Sequence, residues 1–233
     1  MRDAALVLLV LNEVEGLRAL WPRLPVSEFR EVFAVDGGST DGSIEFLAER
    51  GVPSVPQPFR GRGVAFRVAA EASSAERLIF FSPDGNEDPD DIVRLDDQLL
   101  AGSDLAIARR FGPGAVNEED TELLRLRARV NDTLSRIANG LFHRGDRVYD
   151  TINGFRALRR KALIDLDTSV KRFPIEYQIT LRAMQRGWKI TEVPTKEGQR
   201  IGGERKAASW PVGVDHLKVL VTELPNLRVL GRP

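Results

Sequence analysis

The chain repeats one local pattern, in which a short apolar run ends abruptly in a polar turn and an amphipathic segment follows. Ala4 to Leu11 is a continuous aliphatic run, and Glu31 to Val35 and Leu78 to Phe81 are shorter runs of the same kind. Apolar runs of this length are typical of parallel strands that are buried on both faces. The repeated units therefore predict an α/β fold with a doubly wound, mostly parallel, Rossmann-like sheet flanked by helices.

Polar residues gather in the turn that follows the third of these runs. Asp84 and Asn86 lie on a predicted loop beyond the carboxyl end of a strand, where open α/β sheets place their ligands. A carboxylate and an amide there can hold a hard divalent cation through oxygen, or they can belong to a solvated loop that caps its own helix. The dipeptide Asp88-Pro89 predicts the N-cap and the first position of that helix.

The turns after the other strands also carry residues suited to a ligand. Asn12-Glu13 follows the first strand, and Asp36 to Ser43 follows the second. Gly37 and Gly38 let the backbone approach a ligand, while the Ser39, Thr40 and Asp41 side chains can cap the next helix. The glycine-flanked Arg62 at a predicted helix start suits an anion, although a surface arginine beside turn glycines is an equally ordinary arrangement.

Two later segments are candidates for anion binding. Asp150 to Arg156 is a polar turn within apolar sequence, and Gly198 to Lys206 combines three cationic side chains with glycines. The second segment predicts a flexible anion clamp or, alternatively, an exposed basic loop. Gly112 to Asp120 is rich in glycine and acidic residues and is a candidate lid.

Composition excludes several classes of protein. The net charge of zero gives no support to nucleic-acid binding, and the absence of cysteine excludes disulfides and thiolate metal sites. Only two histidines are present, so a metal would have to rest on oxygen ligands. No apolar run approaches the roughly 20 residues of a membrane span. We expect a cytoplasmic protein, which can lie at the inner face of the membrane.

The domain organisation predicted from these segments is one large domain and a helical tail. Residues 1–208 are assigned to the domain and residues 209–233 to the tail. One face of the predicted tail helix carries Val214, Leu217, Leu220, Val221 and Leu224. That face predicts packing on the domain or, alternatively, contact with a membrane surface.

Taken together, the turns resemble family 2 glycosyltransferases of the GT-A fold, within the branch of dolichyl-phosphate mannose synthase and other polyprenyl-phosphate sugar transferases. The resemblance runs from Asn12 to Lys206 and keeps the family's order of motifs. These motifs are Asn12-Glu13, Asp36 to Ser43, Gly61 to Gly63, the acidic loop at Asp84, Ala108 to Phe111, Asp150 to Arg156, and Glu192 to Pro194 followed by Arg200 to Lys206.

The resemblance implies roles for individual residues. The donor nucleotide would contact Asn12, Glu13, Asp36, Gly38, Ser39, Arg62 and Gly63. A divalent cation, Mg²⁺ or Mn²⁺, would be held by Asp84 and Asn86. Catalysis and the binding of the donor diphosphate or the acceptor phosphate would involve Asp84, Arg110, Arg127, Asp150, Arg156, Arg200 and Lys206.

The chain also departs from the family pattern. Ser82 stands where the family usually has the first acidic residue of its metal-binding motif, and Glu87 and Asp88 are the candidates to compensate. The Gln-x-x-Arg-Trp motif of processive polysaccharide synthases is absent, which favours single transfer over polymerisation.

The function expected from the resemblance is inverting transfer of one sugar from a GDP- or UDP-linked donor to a phosphate-bearing acceptor, a polyprenyl phosphate. An ionised phosphate needs no general base, whereas a hydroxyl acceptor would need a carboxylate within hydrogen-bond reach. One alternative is therefore an enzyme acting on a soluble hydroxyl acceptor, with Asp150 or Glu176 as base. The other is a catalytically inactive nucleotide-sugar binding module. Nucleic acid is not expected as a partner.

Overall fold

The computed structural model describes residues 1–117, 122–171, 174–201 and 209–225, and its centre is a seven-stranded sheet. The strand order is β3-β2-β1-β4-β7-β5-β8. The strands are β1 (Arg2–Val10), β2 (Phe29–Asp36), β3 (Ser54–Pro56), β4 (Arg77–Phe81), β5 (Leu105–Arg109), β7 (Arg156–Arg159) and β8 (Ile190–Pro194), with a separate parallel pair β6 (Val116–Asn117) and β9 (Lys196–Glu197). The helices are α1 (Val14–Leu20), α2 (Ser43–Ala48), α3 (Arg62–Ala72), α4 (Asp91–Leu100), α5 (Glu122–Phe142), α6 (Arg160–Asp165), α7 (Ile175–Gln185) and α8 (Ser209–Glu223).

Strand β7 is the one member of the large sheet that runs against its neighbours in the described chain. It pairs antiparallel with β4 and with β5, while the other pairs are parallel. The start of β7 therefore lies at the same edge as the carboxyl ends of β4 and β5. The turn before β7, residues 150–155, consequently meets the loops that follow those two strands.

The buried runs of the sequence form the middle of the sheet. Residues Ala4 to Val10 of β1 and all of β4 are buried, and apolar layers cover both faces. One layer includes Phe66 and Phe80, whose rings stack at 3.9 Å between centroids. The strands therefore alternate their side chains between two cores, which explains why Ala4 to Val10 and Leu78 to Phe81 are apolar at every position.

Two helices begin differently from the sequence prediction. Helix α4 begins at Asp91 with Asp90 as its N-cap residue, so the prediction of Asp88 as N-cap and Pro89 as first helical residue was wrong. Helix α2 has Gly42 as its N-cap residue, with φ of 93°, and it has no side-chain cap. The Asp41 carboxylate accepts hydrogen bonds from the Ser43 amide and hydroxyl instead. Asp41, one of the three expected capping residues, therefore binds the first residue of α2 from the preceding turn, while Gly42 takes the N-cap position.

The last described helix, α8, lies against α7. The Glu223 side chain is fully buried and accepts hydrogen bonds from Gln178 Nε2 at 2.8 Å and Arg182 Nε at 2.9 Å. His216 packs beside the Tyr177 ring. The division of the chain at residue 208 stays a prediction. Within the described ranges, no helix combines the length and the apolar character needed to cross a bilayer.

Candidate active site

The loops after β1 and β2 form one hydrogen-bonded unit. Asn12 adopts a positive φ of 54°. Its Oδ1 accepts a hydrogen bond from the Thr40 backbone amide, and its own backbone amide donates to Ser39 Oγ. Asp36 in turn accepts the amides of Gly38 and Ser39. The predicted nucleotide-binding residues of these two loops therefore lie together at the carboxyl edge of the sheet.

Arg200 joins this unit to the acidic loop. Its guanidinium donates to Glu13 Oε1 at 2.9 Å and to Asp84 Oδ2 at 2.9 Å, and its side chain is 18% exposed. The two carboxylates belong to segments separated by 71 residues. A cationic group therefore already bridges Glu13 and Asp84, so this place accommodates positive charge.

The acidic loop is fastened to the segment that carries Arg200 by two backbone hydrogen bonds. The Ile201 amide donates to the Asp84 carbonyl at 2.7 Å, and the Gly198 amide donates to the Asn86 carbonyl at 3.1 Å. Gly85 lies between them with φ of 96°, and a Cβ there would lie 2.7 Å from the Gln199 carbonyl oxygen. The close contact requires glycine at position 85.

Glu87 turns back toward the start of the same loop. Its Oε2 accepts the Ser82 amide at 2.6 Å. Burial and the neighbouring Asp84 carboxylate raise the pKa of Glu87 to about 8. Asp84 and Glu87 therefore disfavour each other's ionisation, and a cation bound beside them would relieve that repulsion.

Arg62 lies across from this loop at the start of α3. Its Nε donates to the buried Glu176 carboxylate, and its Nη1 donates to Ser82 Oγ at 3.3 Å. Gly154 makes room for this guanidinium, because a Cβ at that position would lie 1.8 Å from Arg62 Nη2. The next residue of α3, Gly63, packs closely on the Val170 carbonyl. Arg62 is thus held at the site by Glu176 and Ser82, and Gly154 leaves the space that its guanidinium occupies.

Arg110 is held in the same manner by the turn before β7. Asp150 is fully buried and accepts Arg110 Nε at 2.8 Å, Nη2 at 3.0 Å and the backbone amide at 3.1 Å. Glu192 supports this turn, since its Oε1 accepts the amides of Tyr149 and Asp150. Burial raises the pKa of Glu192 to about 7.

Arg156, which was predicted to hold a phosphate, is surrounded by protein acceptors in the structure. Its side chain is fully buried, and it donates to the carbonyl oxygens of Asn153 and Glu176 and to the Thr180 hydroxyl. Burial lowers the pKa of this guanidinium to about 10. These donors join the turn before β7 to helix α7, and a direct contact of Arg156 with a phosphate stays a prediction.

The remaining predicted residues are placed less completely. Arg127 belongs to α5, but its side chain lies outside the described part of the chain, as does the whole of Lys206. Asn86 contributes its backbone to the acidic loop. Among the described residues, no group of three or more histidine, aspartate or glutamate side chains is arranged to hold a metal.

Sequence reasoning had no site role for Glu192. The sequence marked Glu192 only as part of the Glu192 to Pro194 motif. Its hydrogen bonds reach residues more than 40 positions away, so no local pattern could indicate them. Glu176 was named only as an alternative base, and its pairing with Arg62 spans 114 positions.

The sheet order and the loops at its carboxyl edge define a GT-A fold, as predicted. The chain superposes on glucosyl-3-phosphoglycerate synthase from Mycobacterium tuberculosis, in a complex with Mn²⁺, UDP and phosphoglyceric acid, with a TM-score of 0.73 and 21% identity. The match covers 100% of this chain and 80% of that structure.

The family model described as Glycosyl transferase family 2 matches residues 7–167, and the chain belongs to this family. It is 30% identical to the undecaprenyl-phosphate mannosyltransferase of Micrococcus luteus, over 87% of this chain and 86% of that protein. It is 26% identical to the dolichyl-phosphate hexose transferase of Haloferax volcanii, over 95% of each. Glycosyltransferase AglJ of the same organism is 31% identical over 79% of this chain, which spans 59% of the length of AglJ. The resemblance stated from the motifs is confirmed at the level of the family.

Proposed function

We propose that the chain is a divalent-cation-dependent glycosyltransferase that moves one sugar from a nucleoside diphosphate sugar to polyprenyl phosphate. The observation that carries this proposal is the convergence of Asp84 with three arginines, Arg62, Arg110 and Arg200, at one edge of the sheet. Each of these arginines is paired with a carboxylate and partly open to solvent. Such a set is suited to a diphosphate and a second phosphate.

The residues of the acidic loop fit a divalent cation. Asp84 and Asn86 provide oxygen donors, and the Arg200 guanidinium on Asp84 shows that positive charge is accommodated there. Mg²⁺ and Mn²⁺ need few protein carboxylates when substrate phosphates complete their coordination, which agrees with the lack of a larger acidic cluster in the described chain. The cation would neutralise negative charge that develops on the departing diphosphate.

In the proposed reaction, an oxygen of the acceptor phosphate attacks the anomeric carbon of the sugar. The bond from that carbon to the nucleoside diphosphate breaks, and its electron pair leaves with the diphosphate, so the anomeric configuration is inverted. Arg62 and Arg200 are assigned to the donor diphosphate and Arg110 to the acceptor phosphate. Arginines fixed by carboxylates stabilise the developing charge without reorganising during the reaction.

Asp150 and Glu176 are each paired with an arginine, and this pairing favours a phosphate over a hydroxyl acceptor. A hydroxyl would need one of these carboxylates as a general base. Asp150 is engaged in two hydrogen bonds with the Arg110 guanidinium, and Glu176 is engaged with Arg62. Each carboxylate thus already has a guanidinium as its hydrogen-bond partner, which leaves it less available to a substrate hydroxyl. The names of relatives that use undecaprenyl or dolichyl phosphate give the same preference.

Radiolabelled sugar transfer tests the proposal. UDP- and GDP-linked sugars are incubated with the chain, Mn²⁺ or Mg²⁺, and polyprenyl phosphate in detergent, and label extracted into organic solvent is counted. We expect transfer to polyprenyl phosphate, and none to unphosphorylated polyprenol or after chelation of the cation. Asp84→Asn should abolish transfer.

The same assay separates the alternatives. Phosphoglyceric acid serves as a soluble phosphate-bearing acceptor, because it is present in the neighbouring structure. Transfer to this acid and not to polyprenyl phosphate would mean that the acceptor is soluble, and would overturn the lipid assignment. Binding of a nucleotide sugar without transfer to any acceptor would indicate a binding module and contradict the proposal.

A further inference from the structure

The acidic loop lacks the first carboxylate of the family's metal-binding motif, because residue 82 is a serine. The structure brings another carboxylate back to this position. Glu87 Oε2 lies 2.6 Å from the Ser82 amide nitrogen. We propose that Glu87 supplies the second carboxylate of the cation site beside Asp84, in place of the acid that position 82 lacks. This inference rests on the proposed function, since it assigns a residue to the same site.

The turn between residues 82 and 87 explains how Glu87 reaches this place. The Asn86 amide donates to Asp84 Oδ1 at 3.1 Å, and Gly85 takes a positive φ, so the chain reverses within four residues. The reversal returns Glu87 to the end of β4, on the side where Arg62 donates to Ser82 Oγ. A carboxylate from five residues later in the chain therefore lies against the backbone of residue 82.

Asp88, the other acidic residue that was a candidate to compensate, is directed elsewhere. Its Oδ1 accepts Arg23 Nη2 at 2.6 Å and the Asp90 amide at 3.2 Å. Arg23 also pairs with Asp90 at 3.0 Å, and this guanidinium is 48% exposed. Asp88 thus belongs to a surface ion pair, which makes it a matched control of the same charge, adjacent in the sequence.

Two carboxylates are the number expected for a cation that arrives with a nucleotide diphosphate. Mg²⁺ is commonly held by one or two protein carboxylates together with substrate phosphates. A site built from Asp84 and Glu87 should therefore bind Mn²⁺ weakly alone and more tightly when UDP or GDP supplies phosphate oxygens.

Direct Mn²⁺ binding tests the assignment without relying on activity. Free Mn²⁺ is quantified by electron paramagnetic resonance during titration of the chain, with and without UDP or GDP. We expect Glu87→Gln to weaken Mn²⁺ binding by at least about tenfold, while Asp88→Asn leaves it unchanged. The double variant Ser82→Asp with Glu87→Gln should recover most of the lost affinity, because it returns a carboxylate to position 82.

The controls distinguish failure of this inference from failure of the proposed function. Wild-type binding of Mn²⁺ that is lost in Asp84→Asn and kept in Glu87→Gln would overturn the role of Glu87 and leave the proposed cation site intact. No Mn²⁺ binding by the wild-type chain, with either nucleotide, would overturn both. Unchanged melting temperatures and circular dichroism establish that a weak-binding variant is folded, and recovery in the double variant excludes a general loss of structure.

Discussion

Gly154→Ala should displace the Arg62 guanidinium without altering any charge. A Cβ at residue 154 would lie 1.8 Å from Arg62 Nη2 and 2.7 Å from its Cζ, so the guanidinium must move. Its hydrogen bond to Glu176 would be lost or distorted, and hydrogen bonds to charged groups contribute about 1.5–3 kcal/mol. Because Arg62 is partly exposed and can find water, we expect the free energy of unfolding to fall by about 2 kcal/mol.

The same displacement should weaken nucleotide binding. If Arg62 contacts the donor diphosphate, loss of one charged hydrogen bond corresponds to roughly 10- to 100-fold in affinity. Isothermal titration calorimetry with UDP and GDP measures this loss, and urea unfolding measures stability. Gly140→Ala is the matched control, because a Cβ at that helical position meets nothing within 4 Å. It should leave affinity unchanged and stabilise helix α5 by up to about 1 kcal/mol.

A double-mutant cycle decides whether Gly154 acts through Arg62. In the background of Arg62→Ala, the methyl group at residue 154 has no guanidinium to displace, so Gly154→Ala should have little further effect on affinity. Additive losses in the double variant would refute the reasoning, because they would show that the two residues act independently. Wild-type affinity in Gly154→Ala alone would refute it equally.

Three further predictions follow from other parts of the site. The Glu192 carboxyl, whose pKa is raised to about 7, binds its proton more tightly in the folded state, so the folded state loses up to about 3 kcal/mol of stability as pH rises from 4.5 to 7. Glu192→Gln should remove this pH dependence. Urea unfolding across this range checks it, and parallel curves of stability against pH for both proteins would contradict it. Asp150→Asn should lower the free energy of unfolding by about 3 kcal/mol and lower kcat for transfer more than it weakens nucleotide binding, since it releases the buried partner of Arg110; an unchanged kcat would contradict the acceptor role of Arg110. Gly16→Ala should lower stability by about 1–3 kcal/mol in thermal unfolding, because its Cβ would lie 2.0 Å from the Pro83 carbonyl oxygen; an unchanged Tm would contradict this.

The parts of the fold that depend on neighbouring residues were predictable from the sequence. Apolar runs and the polar turns after them are local signals, so β1, β2 and β4 and the loops at Asn12, Asp36 and Asp84 were placed correctly. The position of β7 between β4 and β5 depends on strand pairing across 49 to 82 residues, as does its antiparallel direction. No local pattern encodes that pairing.

The side-chain partners in the site were beyond sequence reasoning for the same reason. Composition and motifs identified Arg62 and Arg200 as cations near a ligand. Their carboxylate partners lie 114 and 116 positions away, and a charge in the sequence does not specify which opposite charge it meets. The start of α4 was misplaced because the chain forms a turn through Asp88 to Asp90, where the proline signal suggested the first helical residue.

The two backbone hydrogen bonds between the acidic loop and residues 198–201 make the Ile201 amide a natural sensor. Its proton points at the Asp84 carbonyl, 2.7 Å from nitrogen to oxygen, so any shift of the loop changes the electronic surroundings of that proton. In a ¹⁵N-correlated spectrum, the Ile201 resonance should report cation binding although no side chain of Ile201 takes part. Its rate of exchange with deuterium would in turn measure how often the acidic loop separates from this segment.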